Sequence, residues 1–93
     1  MTETAQHRLK RVSMRSHRRG IKEMDIILGR FADDRLVGLD GRALDTYEAL
    51  LEENDQDLYQ WVTGQDVAPR RFAALVGEIA EYANNCANER AGG

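Results

Sequence analysis

Between Pro69 and Arg90 the residues Phe72, Leu75, Val76, Ile79, Tyr82, Ala83 and Cys86 recur at steps of three and four. Such a stripe lies along one side of an α-helix and fits no β-strand, whose faces alternate every residue. It therefore commits the last part of the chain to an amphipathic helix with one face against a core. Pro69 suits the entrance, because a first-turn residue has no use for the N–H that proline lacks. The run to Arg90 would be a helix roughly 33 Å long, with residues 70–88 the longest helical stretch of the chain.

The same period recurs upstream. Ile21, Met24, Ile27, Leu28 and Phe31 mark a helix within residues 19–32, and Leu44, Tyr47, Leu50 and Leu51 mark another beginning near Asp40 or Gly41. Leu58, Trp61 and Val62 form a shorter stripe, with Asp55 expected as its N-cap and Gly64 placed to end it. A weaker helix over about residues 4–17 would turn Leu9 and Val12 inward, with Met14 as the third inward candidate. Leu58, Tyr59 and Trp61 read as core anchors. Long β-branched or aromatic alternations are absent, and Pro69 is the one proline. The expected fold is all-α: a compact five-helix bundle in a single domain over residues 18–90, preceded by a basic segment (1–17), partly ordered or helical, and followed by a disordered tail (91–93).

A chain of 93 residues has room for one such domain. With 42% hydrophobic and 31% charged residues it belongs with globular chains rather than disordered ones. No apolar run approaches the ~20 residues that span a bilayer, and no secretory signal is expected. The Arg-, Ser- and His-rich stretch from His7 to Arg19 shares its composition with organelle transit peptides, yet a motif that belongs to a folded domain begins at its end. Cys86 is the one cysteine, so no intrachain disulfide can form and a reducing compartment is expected. The net charge of −3 conceals a division. Residues 1–30 hold eight basic against three acidic side chains, a balance of +5, while the remaining 63 hold five against thirteen, a balance of −8. Such a division either steers a partner of complementary charge or is no more than a solvated helix face.

Signatures of chemistry are missing. No glycine-rich phosphate loop, cysteine pair or histidine pair at metal-ligand spacing occurs. His7 and His17 read as exposed and without function, and Cys86 as a buried inert thiol on the apolar stripe. Glu52, Glu53, Asp55 and Asp57 cluster at a polar helix junction, whereas acid–base work needs carboxylates in contrasting surroundings. Neither a catalytic residue nor a metal ligand is assigned.

The stretch Arg18-Arg19-Gly20-Ile21-Lys22-Glu23-Met24-Asp25 departs from this bland pattern. A glycine in a helical run costs about 1 kcal/mol against alanine, so it calls for a reason, either a positive φ at a junction or the close approach of another backbone. Arg19 and Glu23 stand four apart and would share a helical face, and the ordinary reading is an ion pair beside a junction glycine.

Arg19-Gly20-x-x-Glu23 followed by Asp25 resembles the RGxxE signature of the SdhE-type FAD assembly factors, also called the succinate dehydrogenase assembly factor 2 family. Leu50-Leu51-Glu52 with Asp55-Gln56-Asp57-Leu58-Tyr59-Gln60-Trp61-Val62-x-Gly64 is similar to that family's second conserved segment, except that Gln56 stands where proline is usual. RGxxE alone is weak; the two segments together, in this order and at this separation, are specific. The resemblance covers residues 18–64, about half the chain.

The resemblance implies a five-helix bundle, not an enzyme, that binds the flavoprotein subunit of succinate dehydrogenase, and often of fumarate reductase, and promotes covalent attachment of FAD to it. FAD would belong to that partner, and this chain would have no cofactor of its own. Arg18, Arg19, Gly20, Glu23 and Asp25 would form the partner-binding surface, with Arg19 as an exposed charged fork and Glu23 orienting it. A cytoplasmic monomer in a bacterium, or a matrix protein if the source is eukaryotic, is the matching expectation. Two other readings stand beside it. One is a nucleic-acid-binding module using the basic segment, opposed by the net negative charge and the lack of aromatic residues among the arginines, so no nucleic-acid partner is expected. The other is an inhibitory, antitoxin-like partner of a membrane-associated protein.

Overall fold

The computed structural model describes residues 3–92, with side chains through Asn85. Five helices follow one another: α1 (Ala5–Ser16), α2 (Lys22–Arg35), α3 (Gly41–Leu51), α4 (Asp55–Val62) and α5 (Arg70–Gly92), with a single 3₁₀ turn, Leu36–Gly38, between α2 and α3. Strands are absent among the described residues. The helix α2 packs against α1, α4 and α5, and α5 also covers α3 and α4, so these two form the spine of the bundle.

Local chemistry explains the boundaries. Thr4 caps α1 by accepting from the His7 N–H (3.1 Å), and Asp40 caps α3 by accepting from the Ala43 N–H (2.8 Å). At α4 the cap is Asn54, whose side chain accepts from the Gln56 N–H (2.8 Å), and not Asp55 as its position suggested. The difference frees the Asp55 carboxylate for another task. At the far end of α4 the Gln65 N–H reaches the Gln60 carbonyl (2.8 Å) and the Gly64 N–H the Trp61 carbonyl (3.3 Å), with Gly64 at φ +81°. This is the double closure that satisfies orphan carbonyls. Pro69 stands just outside α5, its carbonyl accepting from the Phe72 N–H (2.9 Å). Residues 91 and 92, expected as tail, continue the helix, and Gly93 lies outside the described residues.

The core is built from Val12, Met24, Leu28, Phe31, Leu36, Leu44, Tyr47, Leu50, Leu51, Leu58, Phe72, Leu75, Val76 and Ile79. Its central aromatic is Tyr47, fully buried, with its ring 5.8 Å from that of Phe31. The Tyr47 hydroxyl shares a 2.7 Å hydrogen bond with Ser16, whose own hydroxyl donates to the Val12 carbonyl (2.9 Å). A buried phenol needs such a partner, and burial pushes its pKa up to about 12, against the opposing effect of the Ser16 bond.

Three inward assignments change. Trp61 and Tyr59 are half-buried at the edge of the core, Trp61 lying 6.2 Å from the Phe72 ring. Leu58 alone of α4 is fully buried. Met14 is 46% exposed, because Val12 and Ser16 already fill the inward side of α1. The side chain of Cys86 lies outside the described residues. Finally, His17 is not idle. Its ring lies over Gly29, where an added Cβ would come within 2.6 Å of Nδ1, and its Nε2 is 3.0 Å from the Asp33 carboxylate. A glycine in the middle of α2 is the consequence of that close crossing.

Candidate partner-binding turn

Helix α1 ends at Ser16 and α2 begins at Lys22, so the segment from Arg18 to Ile21 is a turn between two helices that pack together. Arg19 therefore precedes the helix and does not share a helical face with Glu23. Its side chain turns inward instead, 9% exposed, to the junction of α3 and α4. There Nε donates to Asp55 Oδ1 (2.7 Å), one terminal nitrogen to the Leu51 carbonyl (2.9 Å) and the other to the Glu53 carbonyl (3.2 Å). The carbonyls that end a helix have no intrahelical partner and carry its negative pole, so a guanidinium fork satisfies them and their charge together.

Asp55 holds the other end of this clasp. Its second oxygen accepts from the Gly20 N–H, and its side chain is 15% exposed. A Cβ at residue 20 would stand 3.0 Å from that oxygen. Close approach of Asp55, and not a positive φ, is thus the reason for Gly20; among the described residues Gly64 alone has positive φ. Asp25, in the first turn of α2, accepts from the Arg19 N–H. The Arg19 and Gly20 N–H groups are thus each held by a carboxylate, and the Arg18 N–H reaches the Arg15 carbonyl (3.3 Å).

The five residues marked in the sequence divide accordingly. Arg19 and Asp25 face the structure and fix the turn, which corrects the expectation of an exposed Arg19 fork. Arg18, Gly20 and Glu23 are exposed. Glu23 has no ion pair among the described residues. It lies beside Ile26, which is 46% exposed, and both border a depression of about 360 Å³ with Ile27, Tyr59, Val62 and Ala83.

A second arrangement went unread in the sequence. Arg8 bonds to Glu48 (2.9 Å) and Asp45 (2.5 Å), Arg11 to Glu48 (2.5 Å) and Glu3 (2.9 Å), and Arg15 to Glu52 (2.9 Å). Part of the basic amino-terminal segment is therefore matched against α3. Positions 8, 11 and 15 and positions 45, 48 and 52 repeat the same three-then-four spacing with opposite charge, and that is the signal that reveals the pairing. Burial alone would raise the Glu48 carboxyl, but the bonds from Arg8 and Arg11 outweigh it and hold it below the ordinary carboxylate range. Among the described residues no three His, Cys, Asp or Glu side chains converge as metal ligands would, and no helix is long and apolar enough to cross a membrane.

Comparison with known proteins agrees with the motif reading. Residues 10–83 match the Sdh5 family, described as the flavinator of succinate dehydrogenase. A protein of Meyerozyma guilliermondii is 43% identical over 68 residues, covering 72% of this chain and 50% of that protein. One of Schizosaccharomyces pombe is 32% identical over 90 residues, covering 95% and 63%, and one of Debaryomyces hansenii 45% identical over 60 residues, covering 63% and 42%. All three are named mitochondrial succinate dehydrogenase assembly factor 2. The chain spans about half the length of the curated relatives it matches.

Proposed function

Because this chain belongs to the succinate dehydrogenase flavinator family, we propose that it is a non-catalytic assembly factor that binds the flavoprotein subunit of succinate dehydrogenase and promotes covalent attachment of FAD. The FAD belongs to the partner, and the fumarate reductase flavoprotein is a second client of the same kind. The observation that carries this reading is the clasped turn: Arg19, Asp55 and Asp25 hold its backbone, while Gly20 on it and Glu23 in the first turn of α2 are exposed. A surface held in advance loses little conformational entropy when a partner docks. Glu23 offers an exposed acceptor with no ion pair among the described residues. The protein would act by favouring one arrangement of the flavoprotein, and the chemistry of flavin attachment would stay with that partner. As to place, the reading is the cytoplasm of a bacterium or, in a eukaryotic source, the mitochondrial matrix, the relatives being named mitochondrial.

The direct test is to produce the flavoprotein subunit with and without this chain and to read flavin fluorescence on a denaturing gel, where only covalent flavin remains. Fluorescence that rises with this chain supports the proposal. Equal fluorescence in its absence contradicts it.

A further inference from the structure

The basic residues of α1 and of the turn that follows it fall into two sets. Arg8, Arg11 and Arg15 are matched to acids, as described above. Lys10 and Arg18 are exposed with no ion pair among the described residues, while exposed His7 lies near Glu3. Positions 7, 10 and 14 recur at helical spacing on the side of α1 opposite the buried Val12 and Ser16, and Arg18 follows in the turn beyond the helix. Met14 lies one turn from both Lys10 and Arg18 and is 46% exposed. With Arg11, Arg15 and Arg19 these four line an open depression of about 630 Å³. Every lining residue except Met14 is basic.

We propose that this depression docks an acidic segment of the partner polypeptide, in which two or three carboxylates flank an apolar side chain. The inference rests on the flavoprotein reading above, and Arg18 and Arg19 make the depression continuous with the clasped turn. Charge complementarity selects the occupant. The unmatched cations surround a flexible thioether, which moulds itself to an apolar side chain and has nothing to offer a phosphate. Three of the lining guanidiniums, those of Arg11, Arg15 and Arg19, are already satisfied by carboxylates, and residues 31–93 carry a balance of −8. A long phosphate backbone laid along α1 would meet that negative body, whereas a short acidic segment need not. The same separation of charge would orient the molecule on approach, basic helix first.

The test measures association of the full chain with purified flavoprotein subunit, and in parallel with a short duplex DNA, from low to high salt. The Lys10→Glu, Met14→Glu double variant should keep the helical spectrum and melting curve, since both side chains are exposed. It should bind the flavoprotein about tenfold more slowly at low salt, the difference fading by about 0.5 M salt. Lys10→Gln alone should show a smaller loss of the same salt dependence, and Lys10→Arg none. Wild-type binding with no salt dependence and no effect of these variants would overturn the docking surface while leaving the flavoprotein reading intact. No wild-type binding at any salt would overturn both. DNA binding lost in the same variants would make the face a polyanion site and overturn the acidic-segment assignment.

Discussion

Arg19 and Asp55 stand 36 residues apart in the chain, and their side chains meet at 2.7 Å with both largely withdrawn from solvent. They join the two sequence segments that carry the family resemblance, the turn before α2 and the start of α4. A residue marked as an exposed contact is thereby a tie-beam.

Removing one partner of a buried pair strands the other charge, so Asp55→Ala should lower stability by about 3 kcal/mol or more. Asp57→Ala, two residues on and exposed, should change it by less than about 0.5 kcal/mol. Urea unfolding of the two variants separates them, and equal midpoints would contradict the clasp.

Tyr47 and Trp61 exchange the ranks their sequence positions suggest. Tyr47→Ala empties the middle of the core and should cost about 3–5 kcal/mol. Trp61→Ala trims a half-buried edge and should cost about half as much or less. Tyr47→Phe, which removes only the bond to Ser16, should cost about 1 kcal/mol. Chemical denaturation checks the order.

The Glu48 carboxyl is held below its ordinary value near 4.5, so its protonation is harder in the folded state than in the unfolded one. Its pairs with Arg8 and Arg11 therefore contribute in full above about pH 4.5 and fade as pH falls through the lowered folded value. Melting temperatures of the wild type and Glu48→Gln should differ at pH 7 and converge in acid. A gap that stays constant down to pH 3 would contradict the pairing.

Gly29→Ala gains helix propensity worth about 1 kcal/mol, but its Cβ displaces the His17 ring from the groove and from Asp33. The substitution should stabilise a His17→Ala background by more than it stabilises the wild type. A double-mutant cycle showing no coupling would contradict that crossing.

The helices were legible because their apolar residues recur at steps of three and four; α5 and the Leu44–Leu51 stripe needed no tertiary knowledge. Pattern also marked Gly20 as a helix-junction glycine, although it ran the helix from Arg19 where the structure has a turn up to Ile21. It could not tell which side of the turn each residue faces, because that depends on the α3–α4 junction arriving beside it. Asp55 illustrates the loss: as an acid at a helix start it reads as a cap, and only the neighbouring Asn54 and the distant Arg19 assign it elsewhere. Trp61 was misplaced for a related reason. Spacing sets the face of a helix, while depth is set by what packs above it. The matched ladder between α1 and α3 was present in the spacing of the charges, hidden by reading each segment's balance separately.

The clasp presents Glu23 without depending on it for the fold, and one measurement isolates that. Glu23→Ala is prepared alongside the wild type, its stability confirmed to lie within about 0.5 kcal/mol of wild type, and each is added in equal folded amount to flavoprotein subunit and FAD. Covalent flavin is then read by fluorescence on a denaturing gel. The account predicts a drop of about tenfold or more for Glu23→Ala, the loss typical of a residue central to an interface. Wild-type covalent flavin from a well-folded Glu23→Ala would contradict it.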